Sequence, residues 1–361
     1  MKTGCDDCRV KMRIFLVLAI VAAALLPRVP AGAEMRLPAG FRAQVYVTGE
    51  GYEAGGARSI RGFPSSATLA FDSQGLLYLA RTGRRYLGGE VEDLLAVYRI
   101  PVGGARLSPD TEVRYVYGPP LRNPQVSAIG AGRELVVTTF DRERRVGVLY
   151  RVRDGRAEFV AGGTPPPGEE ALLRQPEGVV ADQAGNLYVA DRAQATVVKL
   201  DATGRVLNPR WASVLRPRAL AMDEADRLWI GADGSAETPW QRGPGEIWAV
   251  GPGGVANLVL RGPMPAGIST GPGGYLAVAD RHAAQIFFVS PEGRLLEFAT
   301  FTDGDAPRSL RFAPDTPQTR QAGIAGDLFV VTISQGTWPV NEVVRISGPF
   351  EEFVRQSRGQ P

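Results

Sequence analysis

Residues 175–204 read QPEGVVADQAGNLYVADRAQATVVKLDATG. Runs of β-branched, aromatic and aliphatic residues at 179–181, 187–190 and 196–200 are separated by glycine-, asparagine- and aspartate-bearing breaks. That pattern predicts short strands joined by tight turns. Asp182, Asp191 and Asp201 close the three runs. They are either an acidic site or the punctuation of a repeated unit.

The chain repeats the unit. GNLYVA, anchored on Leu187, has counterparts in GLLYLA (Leu77), RELVVT (Leu135), DRLWIG (Leu228), GYLAVA (Leu276) and GDLFVV (Leu328). A proline-led segment precedes most of them: PQVSAIG, PEGVVAD, PRALAMD, PAGISTG and PRSLRFA. Pro124, Pro176, Pro217 and Pro265 each stand eleven residues before their leucine. The first unit is slightly shifted, and the last carries an insertion, PDTPQTRQAGIA. A third strand follows each anchor (LLAVYRI, VGVLYRV, TVVKL, EIWAV, IFFVS, EVVRI), and a fourth is legible in EVRYVYG, AEFVAGG, ANLVLRG and LLEFATF.

Four strands per unit, six units and a spacing of about 40–58 residues predict an all-β, six-bladed β-propeller of four-stranded antiparallel blades. The high glycine (44) and proline (28) counts suit so many turns. FRAQVYVTG at 41–49 precedes the first inner strand and reads like a fourth strand. It is expected to complete the last blade and close the ring, removing two sheet edges. PFEEFVRQ at 349–356 competes for that place.

The N-terminal 33 residues are expected to lie outside this single 34–361 domain. Lys11 and Arg13 precede an apolar run, and AGA ends at Ala33, the signature of a cleavable secretory signal. Translation starts at Met1 or Met12. Removing residues 1–33 takes five basic residues from 41 and two acidic ones from 38, leaving 36 of each. A neutral mature chain gives nucleic acid no electrostatic hold. It also loses the Cys5-x-x-Cys8 pair, and with it any redox or zinc reading. The expected protein is periplasmic or secreted, monomeric and free of the membrane after cleavage.

The 175–204 unit resembles an NHL repeat, and the mature chain resembles the six-bladed NHL and gluconolactonase-like propellers. LPAGFRAQVYVTG and GDLFVVTISQGTWPVNEVVRI at the two ends also look like the quinone-dependent sugar (sorbosone and glucose) dehydrogenases. Propellers host enzymes and binding modules alike. The gluconolactonase-like enzymes hold a divalent cation through an early Glu, an Asn at an Asn-Gly strand start and a later Asp. Here the strand starts are PEG and PRA, so the Asn is absent. The quinone enzymes use a histidine base. The single histidine is His282, on a short late loop, and its bland reading is a solvent-facing residue. Calcium, and less so pyrroloquinoline quinone, are the cofactors the resemblance implies.

Asp72, Asp182 and Asp223 fall between strands one and two, where Asp before Gly serves a tight turn. The loops after strands two and four share the face that carries ligands in this superfamily. On that face Tyr86, Trp240 and Trp338 lie on long loops, where they either pack the loops or meet a ligand. Arg81, Asp191, Asp233 and Asp280 end second strands, and Gln125, Glu177, Arg218 and Arg308 open first strands. Their convergence at the pore suits a polar cup for a sugar or carboxylate. A hard-cation site built from Glu177, Asp191, Asp233 and Asp280 is the other possibility. Against function, Asp191 and Asp280 sit in repeated VADR strand ends, capping a strand beside Arg192 and Arg281. The leading expectation is a binding module for a protein, peptide, glycan or small molecule. The alternatives are a divalent-cation-dependent sugar or lactone enzyme and a relative of the quinone-dependent sugar dehydrogenases.

Overall fold

The computed structural model describes residues 34–358 except 50–51, 55–57, 61–62, 65, 73, 82–93, 109, 130–133, 142, 154, 238–240, 303 and 335–339. Residues 1–33, where a signal segment is expected, and the loop aromatics Tyr86, Trp240 and Trp338 lie outside the described residues, as does the side chain of Arg81.

Six antiparallel sheets follow one another along the chain. Blade one is Ser66–Phe71, Leu77–Arg81, Leu94–Ile100 and Val116–Arg122. Blade two is Gln125–Ile129, Leu135–Asp141, Val146–Arg153 and Arg156–Gly162. Blade three is Pro176–Ala181, Leu187–Asp191, Thr196–Leu200 and Val206–Ser213. Blade four is Pro217–Met222, Leu228–Ala232, Gly245–Val250 and Ala256–Gly262. Blade five is Pro265–Thr270, Leu276–Asp280, Gln285–Val289 and Leu295–Phe301. Blade six is Asp305–Phe312, Leu328–Ser334, Val343–Ser347 and, from the other end of the chain, Arg42–Gly49. The first strands neighbour one another around a closed ring. The molecule is therefore a six-bladed β-propeller, closed by the N-terminal strand.

The anchor leucines explain the repeat. Leu77, Leu135, Leu187, Leu228, Leu276 and Leu328 are all 0–2% exposed, one at the heart of each blade. Full burial of such a side chain contributes about 1.5–3 kcal/mol. The turns between strands one and two repeat as well. Asp72 Oδ1 accepts from the Gln74 and Leu76 amides, and Asp223 Oδ1 accepts from those of Ala225 and Arg227. The other oxygen takes an aromatic donor six residues on: Tyr78 Oη for Asp72, Tyr188 Oη for Asp182 and Trp229 Nε1 for Asp223. Burial, then the neighbouring aspartate, pushes the Tyr78 and Tyr188 phenols up. These aspartates build turns.

The closure is reinforced twice. Met35–Arg36 adds a fifth strand to blade five, and Ala105–Leu107 pairs in parallel with Arg42–Gly49 on blade six. Two sequence readings need correction. Residues 349–356 do not compete for the closing strand. Phe350–Arg358 is a helix, because Phe350, Phe353 and Val354 recur at helical spacing and seat on the phenylalanine cluster of Phe41, Phe288 and Phe298. In blade one, Glu112–Tyr115 is a 3-10 turn, and the fourth strand starts only at Val116.

Candidate functional site

The alternating strand directions place the turns after strands two and four on one face, around the mouth of the central channel. Two glycines bring the inner strands close together there. A Cβ on Gly178 would stand 2.8 Å from the Arg218 carbonyl oxygen, and one on Gly267 would stand 2.7 Å from Ser309 Cα. The channel beneath is correspondingly small. It has a cavity of about 40 Å³ lined by Gln125, Arg218, Ser309, Arg311 and strand backbone. That is space for a few waters, whereas ligand pockets run to roughly 300–1,000 Å³. A sugar-sized ligand does not fit inside the channel.

The mouth gathers charged groups from four blades. Arg308 of blade six feels the charges of Arg281 of blade five, Arg218 of blade four and Glu177 of blade three. Blades three and six are opposite in the ring, so only its centre brings these groups together. Burial, then the Arg281 and Arg218 charges, pulls the Arg308 guanidinium down to about 10. Arg281 is lowered by burial and then by Arg218. In Arg218 the lowering by burial is outweighed by Glu177 and Asp233, and the group is raised. Deeper in the channel, burial takes Arg311 to about 10, and its guanidinium reaches across to the Leu220 carbonyl oxygen at 3.4 Å.

The two carboxylates at the mouth are held differently. Arg218 donates to Asp233 through Nε (2.8 Å to Oδ1) and Nη2 (2.5 Å to Oδ2), and Arg192 of blade three adds Nε to Oδ2 at 3.0 Å. These partners outweigh burial and hold the Asp233 carboxyl below its ordinary range. Glu177 accepts amide donors on both oxygens, Gln125 Nε2 at 2.8 Å and Gln175 Nε2 at 3.1 Å.

Asp191 and Asp280 do something else. Asp191 is fully buried and accepts the backbone amides of Arg174, Gln175 and Gln194. Asp280 accepts those of Met264, His282 and Ala283. Both tie the incoming connection to the turn after strand two. Asp233 escapes that role by one residue. Pro217 pairs with Ala232 as Pro176 pairs with Asp191 and Pro265 with Asp280, so Asp233 stands beyond the capping position.

The structure thus assembles Gln125, Glu177, Arg218, Asp233 and Arg308 at the mouth and leaves Asp191 and Asp280 as caps. His282 lies in the blade-five turn after Arg281, half-buried. The sequence reading paired Arg192 and Arg281 with their neighbouring aspartates. Arg192 instead crosses to Asp233. The only signal was the repeated Asp-Arg dipeptide, which leaves side-chain direction open beyond a strand end. As a calcium site these residues do not fit. Among the described residues, no three His, Cys, Asp or Glu side chains are grouped to hold a metal ion. Three of the four candidate carboxylates have their oxygens filled by arginines or backbone amides.

A second concavity lies on the same face, between blades two and three. It holds about 830 Å³ and is lined by Arg144, Arg145, Thr164, Glu169, Glu170 and Arg174. The long connection 163–175 walls it, and that connection is anchored by Gly147 N to the Leu173 carbonyl and Gln194 Nε2 to the Leu172 carbonyl.

No protein-family model matches the chain, and no curated protein sequence does. Solved structures share the fold. A gluconolactonase from Xanthomonas campestris is 16% identical, with 89% of this chain and 99% of that one covered, at a TM-score of 0.53. A structure described as a putative gluconolactonase is 15% identical over 88% and 93%, at 0.52. An α-L-arabinanase from Penicillium chrysogenum complexed with arabinobiose is 15% identical over 85% and 98%, at 0.53. Proteins named for different activities are equally similar here, so the likeness is one of fold.

Proposed function

We propose that this chain is an exported, monomeric propeller that binds a small hydroxylated molecule of the sugar or lactone class at the mouth of its central channel. One observation carries the reading. Gln125, Glu177, Arg218, Arg281 and Arg308 come from five different blades and are linked in a chain of polar neighbours around a channel too narrow for the ligand to enter. Converging polar groups with fixed orientation are what a small-molecule site needs. A thermal-shift panel of monosaccharides, sugar lactones and sugar acids tests it. Members of the panel are expected to raise the melting temperature of wild type and not that of Glu177→Gln. A flat panel would sink the reading.

A second reading is an enzyme of that class, favoured by Glu177. Its two oxygens are aimed by two amide donors, and its charge acts on the Arg218 and Arg308 guanidinium groups. A carboxylate so placed can take a proton from an attacking water, while the arginines stabilise the oxyanion that forms. Acid release from glucono-1,5-lactone, followed with and without calcium and in Glu177→Gln, separates an enzyme from a binding module. Calcium and pyrroloquinoline quinone stay proposals of the resemblance alone.

A further inference from the structure

We infer that the concavity between blades two and three is a second binding site, and that its ligand is a short peptide with a free amino and a free carboxyl end.

An insertion is the first argument. Five connections lead the chain from blade one to blade six. Four of them, 123–124, 214–216, 263–264 and 302–304, have two or three residues each. The fifth, 163–175, has thirteen. In a repeated fold, a long insertion at one position needs a reason, and insertions gather on the binding face. This one walls a space of about 830 Å³, within the range of small-ligand pockets, whereas the channel offers about 40 Å³.

The wall is also built in advance of any ligand. Pro165, Pro166 and Pro167 fix φ at three consecutive positions. The Glu169 amide closes a turn on the Pro166 carbonyl. The Gly163 amide donates to the Gly147 carbonyl of blade two, and the Arg174 amide donates to Asp191 Oδ2 of blade three at 2.6 Å. The connection is thus fastened to both blades. A site ordered beforehand loses less entropy on binding.

The lining residues define the ligand. Arg144 and Arg145 come from the turn after strand two of blade two, and Glu169 and Glu170 from the connection. Arg145, Ala195 and Ala284 occupy the same left-handed position before the third strand of their blades. Blades three and five therefore hold Gln194-Ala195 and Ala283-Ala284 where blade two holds two arginines. Guanidinium forks match a terminal carboxylate, and glutamates match a terminal ammonium. Arg174 already pairs with Glu170 at 3.2 Å, which leaves Glu169 as the nearer partner for the ammonium. Val146, Pro165, Ala171 and Ala193 supply small apolar surface for short side chains. No described lining residue is aromatic, so the groove offers no ring for a sugar face to stack on.

The test is calorimetric titration of the protein at neutral pH with tri-alanine, N-acetyl-tri-alanine and tri-alanine amide. Tri-alanine is expected to bind about tenfold more tightly than either blocked form, the loss of one charge-assisted contact. The double variant Arg144→Gln, Arg145→Gln should erase the preference for a free carboxyl end and keep that for a free amino end. The double variant Glu169→Gln, Glu170→Gln should do the converse. All four residues are exposed, so both variants are expected to keep the wild-type thermal transition, which is checked first. If one variant fails that check, the other carries the test. Absence of tri-alanine binding, or blocked forms that bind as tightly, would overturn the inference. So would both preferences surviving in the folded variants, which would put the peptide elsewhere on the protein.

Discussion

Arg218 donates two hydrogen bonds to Asp233, at 2.8 and 2.5 Å, and Arg192 of the preceding blade adds a third at 3.0 Å. One aspartate thus joins blade three to blade four at the channel mouth. Asp233 is only 2% exposed. Breaking a buried ion pair from one side costs about 3–5 kcal/mol, because the remaining charge is left uncompensated. Asp233→Ala is expected to lose stability on that scale in urea unfolding. A loss under 1 kcal/mol would mean the pair is only a surface contact.

The same pair fixes a pH dependence. The folded Asp233 carboxyl lies below its ordinary range. The unfolded group titrates at about 3.9. Its stabilisation is therefore complete above that value and is lost as pH falls toward the folded one. Wild type should lose melting temperature below about pH 4 more steeply than Asp233→Asn. Parallel curves for the two proteins would contradict this.

The turn aspartates give a structural control. Asp182→Ala removes the acceptor for the Asn186 amide and the Tyr188 hydroxyl. Leaving such donors unmet costs about 1–3 kcal/mol. The variant should be less stable with ligand affinity unchanged, whereas Glu177→Gln should show the reverse. Loss of affinity in Asp182→Ala at full stability would assign that turn to the site.

Ring closure depends on both chain ends. Phe41 from the N-terminal side meets Phe350 of the C-terminal helix at 4.8 Å, edge to face. Phe350→Ala should cost about 3–5 kcal/mol, the range for a buried phenylalanine. A far smaller loss would show the helix to be dispensable for the closed ring.

Much of the fold was legible in the sequence. Turn residues and anchor leucines are local signals that repeat six times, and the N-terminal strand read as a fourth strand because it alternates like one. The C-terminal helix was misjudged because PFEEFVRQ was taken as a strand. The i, i+3, i+4 spacing of Phe350, Phe353 and Val354 was the better guide. For the candidate site, the grouping of the first-strand residues Gln125, Glu177, Arg218 and Arg308 was legible from their shared position after a proline. Roles beyond the second strand were not. There a single residue of offset separates the caps Asp191 and Asp280 from Asp233, and that register depends on tertiary packing.

Calcium offers a further check. Asp191 and Asp280 are filled by backbone amides and Asp233 by two arginines, so calorimetry on the chelator-treated protein should show no stoichiometric calcium binding. Tight binding abolished by Asp233→Ala would mean that the mouth rearranges around a cation.

The most direct measurement is a crystal of residues 34–361 soaked with the sugar or lactone that gives the largest thermal shift. Ligand density is expected at the channel mouth, with hydroxyls toward Gln125 and Glu177. Density only in the groove between Arg144 and Glu169, with the mouth holding water alone, would contradict the account.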